Sequence, residues 1–150
     1  MRIRFARPLR ADEGHGTIEF ALISVMFTLV LFSVVEVGRM VLVYTTMANA
    51  ARAGARYAIV HGGDRTGSGV NGPSATGSTT QVQTVVQNFA GAGLLTVSNV
   101  SVNVTYPDGT NTPGSRVSVQ VSYVYDPLVS YFNHSLNVTM GSTSEGVITF

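Results

Sequence analysis

The sequence has few charged residues and no cysteine. Charged side chains make up 11% of its 150 residues, whereas about a quarter of the residues are charged in an ordinary soluble domain. This deficit argues against a freely soluble cytoplasmic protein. The absence of cysteine excludes disulfides, thiolate metal ligands and cysteine nucleophiles, so packing alone has to stabilise the fold. The absence of cysteine does not identify the redox compartment, because such a chain is compatible with either side of a membrane.

Lysine is also absent, and nine arginines against eight acidic residues give a net charge of +1. A protein that binds nucleic acid needs a basic surface to neutralise phosphates. This charge balance supplies no such surface, so we expect no nucleic-acid partner. The arginines are unevenly distributed, and four of them lie within the first ten residues: Arg2, Arg4, Arg7 and Arg10.

No arrangement of residues in the sequence is typical of an enzyme. Hydrolysis requires a nucleophile, a base and an orienting acid that converge in a cleft. The three histidines, His15, His61 and His134, lie in separate parts of the chain, and their spacing does not indicate a metal site. The glycines of residues 67–72 match the dinucleotide-binding sequence pattern. The structural context does not fit, because that motif needs a helix directly after it and Pro73 and further loop residues follow instead. We therefore expect no catalytic residues, no cofactor and no metal ion.

The most distinctive feature is an apolar run without charge over residues 20–35, which only Ser24, Thr28 and Ser33 interrupt. The apolar character resumes after Glu36 and continues to Tyr44. A helix over residues 19–44 would be about 38 Å long. This length is sufficient to cross a hydrocarbon core of about 30 Å.

The arginine cluster before the apolar segment, and the absence of such a cluster immediately after it, predict the orientation in the membrane. By the positive-inside rule the amino terminus is cytoplasmic and the carboxyl-terminal part is exported. The protein is then a single-pass protein of the cytoplasmic membrane. One alternative is a secretory signal, but Ala48-Asn49-Ala50, which has the small-x-small form, lies well beyond the apolar run. The other is a buried core helix, which the rest of the chain could hardly cover because the run is apolar all round.

The helix is expected to continue through residues 47–60, which are rich in alanine, the best helix former. Small side chains recur there at a spacing of three and four and form a packing face that another element can approach closely: Ala48, Ala51, Ala55 and Ala58. Arg52 and Arg56 fall on a different side, either solvated or capping a sheet edge. His61-Gly62-Gly63 is a typical end of a helix.

The remainder predicts a small α+β head. Residues 62–80 have the composition of a loop. Ser78-Thr79-Thr80-Gln81 has capping-box spacing, and a short amphipathic helix follows to about Gly91, with an apolar stripe of Val82, Val85, Val86 and Phe89. Alternating residues then predict antiparallel strands over 100–106 and 117–125.

A third strand begins near Leu136, Val138 and Met140. Val147, Ile148 and Phe150 either prolong it past a bulge near Gly141 or form a fourth strand. The expected fold class is α+β, with a long amino-terminal transmembrane helix, a short helix and a three- to four-stranded antiparallel sheet. The apolar face of this sheet needs a cover, and the alanine face and the stripe of the short helix are available.

The segment Gly14-His15-Gly16-Thr17-Ile18-Glu19-Phe20 stands just ahead of the apolar run. A glycine, four residues, a glutamate and an aromatic residue before an uncharged helix resembles the type III leader that prepilin peptidases process in type IV pilins. The resemblance implies a cut between Gly14 and His15, which makes Glu19 the fifth and Phe20 the sixth residue of the mature chain, as in Flp-type pilins. A cut after Gly16 would make the glutamate third, which does not fit.

Three further strings, Glu19-Phe20-Ala21-Leu22, Glu36-Val37-Gly38-Arg39 and Asn49-Ala50-Ala51-Arg52-Ala53-Gly54-Ala55-Arg56-Tyr57-Ala58, are similar to the TadE-like family of pseudopilins of tight-adherence (Tad) systems. The resemblance covers residues 10–60 and implies a pilin-like fold. It implies a cytoplasmic leader over residues 1–14, a transmembrane and extended helix over 15–61, a loop over 62–80 and an exported head over 81–150.

The family resemblance implies a structural role as a minor pilin or pseudopilin that contributes to pilus assembly and surface adherence. The implied partners are a prepilin peptidase, the major Flp-type pilin, other pseudopilins, the inner-membrane assembly platform and membrane lipid. Glu19 would be an assembly charge that pairs with the new terminal amine of a neighbouring subunit, and the subunit would enter an extracellular pilus. Two alternatives stay open. Glu19 is an interfacial carboxylate that merely faces headgroups or water, or the protein is an unprocessed, membrane-anchored scaffold or adhesion-related protein of the same fold.

Overall fold

The computed structural model describes residues 12–62, 79–93, 95–128 and 137–149. The elements are α1 (Asp12–His61), α2 (Thr80–Ala92), a 3-10 turn (Val97–Asn99), β1 (Val100–Thr105), β2 (Arg116–Tyr125) and β3 (Val138–Val147). The chain divides into two compact units, Met1–Val37 and Gly38–Phe150. The α+β class predicted from the sequence is confirmed. The arginines of residues 1–10, the glycine pattern of 67–72, and His134 lie outside the described residues.

In the first unit, the described residues belong to α1 and expose an apolar surface. Phe20 is 72% exposed and Met26 71%. The three hydroxyl side chains of the apolar run donate hydrogen bonds to carbonyl oxygens one turn earlier: Ser24 to Ala21 at 2.9 Å, Thr28 to Ser24 at 2.8 Å and Ser33 to Leu29 at 2.9 Å. Because these donors are satisfied within the helix, they add little polarity to its outer surface.

The sheet of the second unit is antiparallel with the strand order β1-β2-β3. Alternate residues of the central strand β2 are buried, as its period of two predicts: Val117, Val119, Val121, Tyr123 and Tyr125. Val121 pairs with Val102 of β1 on one side and with Ser142 of β3 on the other. Cross-strand partners share a face of the sheet, so this row crosses the inner face.

The third strand is prolonged to Val147, as one of the two expected alternatives has it, but without the bulge. The pairing of β2 with β3 runs without a break from Tyr125 and Val138 to Arg116 and Val147. There is therefore no bulge at Gly141, and Val147 is the last residue of β3 and does not open a fourth strand. The sequence of β3 shows no apolar alternation because small residues occupy its inward positions. One of them, Gly146, leaves room for the Ile59 side chain of α1. Leu136 and Phe150 lie outside the described residues.

The short helix differs from the prediction in its buried face. Its N-cap is Thr79, without a side-chain capping bond, and the expected capping box involves Ser78, which lies outside the described residues. The Gln83 side chain donates to the Thr79 hydroxyl at 3.3 Å. The buried face of α2 consists of Val82, Val86 and Ala90, whereas Val85 is half-buried and Phe89 is 43% exposed. The buried residues of α2 follow one another at a spacing of four, which keeps them on the face toward the core. Phe89 lies to the side of that face.

The connection between β1 and β2 contains two turns that place Asp108 beside Arg116. In residues 112–115 the Ser115 N–H donates to the Thr112 carbonyl at 3.0 Å, and Gly114 has φ +93° as the third residue of a type II turn requires. The Asp108 carboxylate accepts a bond from the Arg116 backbone N–H at 2.7 Å and one from Nη2 at 2.8 Å. These bonds tie the loop to the first residue of β2.

The pair of Asp108 and Arg116 predicts a pH effect on stability. Hydrogen bonds from the Arg116 guanidinium and backbone N–H hold the pKa of Asp108 below its ordinary value. A depressed carboxyl pKa in the folded state stabilises the fold above the unfolded-state pKa of about 3.9, and this contribution is lost as the pH falls through the folded-state pKa. The difference in melting temperature between wild type and Asp108→Asn should therefore stay constant from about pH 7 to about pH 5 and shrink as the pH falls below about 4.

Circular dichroism of the full-length chain in detergent measures these melting temperatures. Glu145→Gln serves as the control, because Glu145 acts on Arg116 only by Coulomb attraction. A difference for Asp108→Asn that does not change with pH would contradict the assignment of the effect to this carboxylate.

Candidate functional site

The residues that the sequence analysis assigned to processing all lie at the start of α1. Gly14 and His15 are exposed and lie in its first turn, because α1 begins at Asp12. The first backbone N–H groups of a helix have no partner within it, and glycine costs a helix about 1 kcal/mol relative to alanine. With Gly14 and Gly16 both present, this turn opens at a lower cost than the rest of α1.

Glu19 lies beside the apolar surface of α1 and is exposed, as is Phe20. Within the described residues no hydrogen bond or ion pair involves its carboxylate. His15 is the nearest ionisable residue before it, one turn earlier, and Glu36 is the next one after it. The carboxylate is exposed, so a cation from outside the chain can reach it. In a helix that begins at His15, it would also lie close to the positive end of the helix dipole, which favours a negative charge.

The predicted small-residue face is part of a wider buried stripe on α1. Ala51 and Ala58 are fully buried, Ala55 is 2% exposed and Ala48 is half-buried. The stripe also contains three buried residues that the sequence analysis missed: Met47, Ala50 and Gly54. The spacing of four, three and four from Met47 through Ala51 and Gly54 to Ala58 is a helical repeat that could have identified the centre of this stripe.

Gly54 marks a close approach of α1 to two of its neighbours, α2 and β2. A Cβ atom at this position would collide with the Cγ2 atom of Val86 and would lie 3.2 Å from Cγ1 of Val119 and 3.6 Å from Cγ1 of Val82. One glycine thus allows α1 to approach both α2 and β2. Gly93 likewise accommodates the Thr46 side chain.

The other side of the same segment carries polar groups. The Tyr57 hydroxyl donates to Oε1 of Gln81 at 3.0 Å, and the Tyr57 ring stacks on His61 with centroids 4.2 Å apart. Arg52 and Arg56 are exposed, and Nη1 of Arg52 lies 3.4 Å from Oδ1 of Asn49 on its own helix. Among the described residues neither arginine makes a hydrogen bond to a strand. This arrangement favours the solvated alternative for the two arginines over the capping of a sheet edge.

Packing of the second unit onto α1 begins earlier than the sequence suggested. Cζ of Arg39 lies 5.5 Å from the centroid of the Tyr125 ring, and Met40 and Val43 pack against the hydrophobic core. The segment expected to cross the membrane extended to Tyr44. Residues 38–44 of that segment belong to the second unit, whereas Val41, Leu42 and Tyr44 are exposed. The extent of the membrane-spanning part stays a prediction.

The segment that contains these features is the part of the chain that matches a known family. The family model described as TadE-like protein matches residues 14–56. This segment is similar to the TadE-like family. The match begins at Gly14, includes Glu19 and extends over Gly54, and it confirms the resemblance identified in the sequence. The match covers 43 of the 150 residues and points to involvement in a Tad pilus system. The comparisons with curated proteins and with solved structures gave no match.

Proposed function

We propose that this protein is a minor pilin or pseudopilin of a Tad-type pilus apparatus, cut by a prepilin peptidase after Gly14. The observation that carries the proposal is the combination of features on α1. The TadE-like match begins at Gly14, one exposed carboxylate lies at Glu19, and the most apolar stretch of the helix has none of its residues buried. A core helix of a soluble protein would bury that stretch, so its exposure supports a helix that lipid or other helices cover.

The first stage of the proposed function is membrane anchoring. Residues 20–37 of a helix extend about 27 Å, which is close to the thickness of a hydrocarbon core. The hydroxyls of this segment are bonded to its own backbone, so lipid would contact an apolar surface with satisfied donors. The arginines of residues 1–10 retain the amino terminus in the cytoplasm, and the second unit is exported.

The second stage is removal of the leader. The peptidase hydrolyses the amide between Gly14 and His15, so that water supplies the oxygen of a new carboxylate on Gly14 and a new amine forms on His15. The bond must leave the helix to enter a peptidase site. The weak first turn of α1 makes this local opening inexpensive in free energy.

The third stage is assembly. The Glu19 carboxylate pairs with the terminal amine of a neighbouring subunit, which is the major Flp-type pilin or another pseudopilin. The pair compensates a carboxylate that would otherwise cost a few kcal/mol at the edge of the bilayer. The apolar side chains that first contact lipid then pack against neighbouring helices, and the head meets the other pilins and the assembly platform.

Gly14→Ala tests the site of processing, with Gly16→Ala as a matched control. A Cβ at either position meets no atom within 4 Å, and both substitutions favour the helix by about 1 kcal/mol. Only the change at Gly14 adds a side chain directly before the cut. We expect Gly14→Ala to accumulate full-length precursor, and Gly16→Ala to be processed like wild type, as measured by immunoblot in cells that contain the peptidase.

Equal processing of the two variants would contradict a cut at this bond. An intact leader in the wild type, with the peptidase present, would instead support the alternative of an unprocessed membrane-anchored scaffold or adhesion-related protein.

A further inference from the structure

Among the described residues, large apolar side chains of the second unit are exposed at both of its ends, and Val60 and Val147 lie at one of them. At the other end, four form what we name the apolar rim: Val97, Val124, Leu128 and Val138, each 37–42% exposed. Their position follows from how β2 and α2 run along the part of α1 that belongs to this unit.

The central strand β2 runs antiparallel to α1. Ile59 packs against Gly146, which pairs with Val117 near the start of β2. Gly54 approaches Val119, and Arg39 lies over Tyr125 at the end of the strand. Higher residue numbers in β2 therefore lie nearer to Arg39.

Three members of the apolar rim belong to this end of the sheet. Val138 pairs with Tyr125, Val124 is the residue before Tyr125, and Leu128 follows three residues after it. They consequently lie at the end of the second unit where α1 enters it, close to Arg39.

The fourth member, Val97, is placed by α2. This helix also runs antiparallel to α1, because Gln81 near its start bonds to Tyr57, whereas Gly93 at its end lies against Thr46. A Cβ atom on Gly91 would lie 3.1 Å from Cγ2 of Val97. Val97 therefore lies toward the same end as the other three.

The same end carries two groups that are common where proteins meet the surface of a membrane. Tyr44 is 53% exposed on α1, one turn beyond Arg39 and Met40. Tyrosine is enriched at the level of lipid headgroups, and arginine reaches that level from helix ends. Gly38 directly follows Val37, the last residue of the proposed membrane-spanning segment.

We propose that the apolar rim rests in the headgroup layer of the membrane that α1 crosses, so that the head lies against lipid before the subunit is extracted into a pilus. This inference rests on the proposed function, because the apolar segment places the bilayer surface beside Arg39. Lipid is the occupant that the position of the rim favours, since the chain itself brings the rim to this surface. A second copy of the chain is the competing occupant.

The absence of cysteine makes a direct test possible, because each single-cysteine variant carries one label without background. Val138→Cys and Leu128→Cys place an environment-sensitive fluorophore on the rim. Val147→Cys is the matched control, since Val147 is 52% exposed at the opposite end of β3. Leu31→Cys, at a position 50% exposed on the apolar helix, reports whether the chain is inserted.

The full-length chain is reconstituted in vesicles of phosphatidylethanolamine and phosphatidylglycerol that contain either headgroup-labelled or deep acyl-chain-labelled quencher lipid. We expect the label at 31 to be quenched most by the deep quencher. The labels at 128 and 138 should show a blue-shifted emission and stronger quenching by the headgroup quencher than the label at 147, at every protein-to-lipid ratio.

Insertion of residue 31 with equal behaviour of 128, 138 and 147 would overturn the inference and leave the proposed function intact. A label at 31 that no lipid quenches would overturn the proposed function, and the inference with it. A blue shift at 128 and 138 that disappears on dilution of the protein in lipid, without headgroup quenching, would assign the rim to a second copy of the chain and overturn the lipid assignment.

Discussion

Gly54→Val should destabilise the second unit by about 2–3 kcal/mol, the cost of forcing extra methyl groups into a well-packed core. The first added carbon collides with Val86, and its other near neighbours are Val82 and Val119. All three valines are fully buried and have stiff, β-branched side chains. They cannot rotate away, so α1 has to move off both α2 and β2. Chemical unfolding of the full-length chain in detergent, followed by near-ultraviolet circular dichroism, measures the loss.

Gly38→Val is the matched control on the same helix. A Cβ at Gly38 meets no atom within 4 Å, and valine is a slightly better helix residue than glycine, so we expect unchanged or slightly raised stability. The pair Gly54→Ala and Val86→Ala adds a second check. If the collision with Val86 is the cause, the double variant should be more stable than the sum of the two single changes predicts. A Gly54→Val variant as stable as Gly38→Val would contradict the packing of α1 described here.

Replacement of Glu19 by alanine should reduce incorporation into the pilus roughly a hundredfold or more. Removing one partner of a buried ion pair costs about 3–5 kcal/mol, because the other charge stays buried without compensation, and each 1.4 kcal/mol is about a factor of ten in an equilibrium constant. In the proposed assembly the charge left behind is the terminal amine of the neighbouring subunit. The measurement is the amount of this chain in sheared pili relative to the amount in membranes.

Two variants separate the charge of Glu19 from its size and from general effects on the helix. Glu19→Gln retains the shape and removes the charge, so it should resemble alanine. Ser24→Ala removes a polar group from the same helix, but its hydroxyl bonds only to the Ala21 carbonyl, so incorporation should not change. Normal incorporation of Glu19→Ala, with normal processing of the leader, would leave Glu19 as a simple interfacial carboxylate.

Much of the fold could be predicted because its signals are local. The apolar run and the alanine-rich segment both favour one continuous helix, and α1 extends over Asp12–His61. The period of two identified every buried residue of β2 from Val117 to Tyr125. In these segments a residue's environment follows from its own position on a helix or strand, so a single sequence contains the information.

The remaining features depend on contacts between distant parts of the chain. Gly54 looked like an ordinary residue of an alanine-rich helix, and only the arrival of Val86 and Val119 makes its missing side chain necessary. The inward positions of β3 hold small residues such as Ser142 and Ser144, so no apolar alternation marks this strand. The contact between Arg39 and Tyr125, which moves the start of the packed unit toward the amino terminus, joins residues that the sequence gives no reason to connect.

The same division between local signals and contacts with distant groups holds for the candidate site. Gly14 and Glu19 were identified by a short motif, and the family match over residues 14–56 includes both. The proposed partners of the two residues, a peptidase and a neighbouring subunit, are separate molecules, so no contact within this chain marks either role.

The mass of the amino-terminal peptide of the membrane-embedded protein tests the central claim most directly. The protein is extracted from washed membranes of cells with and without the prepilin peptidase, and its terminal peptide is measured by mass spectrometry. We expect a chain that begins at His15 when the peptidase is present, and a chain that retains residues 1–14 when the peptidase is absent. The same intact terminus in both cell types, or recovery of the protein in the soluble fraction without lipid or detergent, would contradict it.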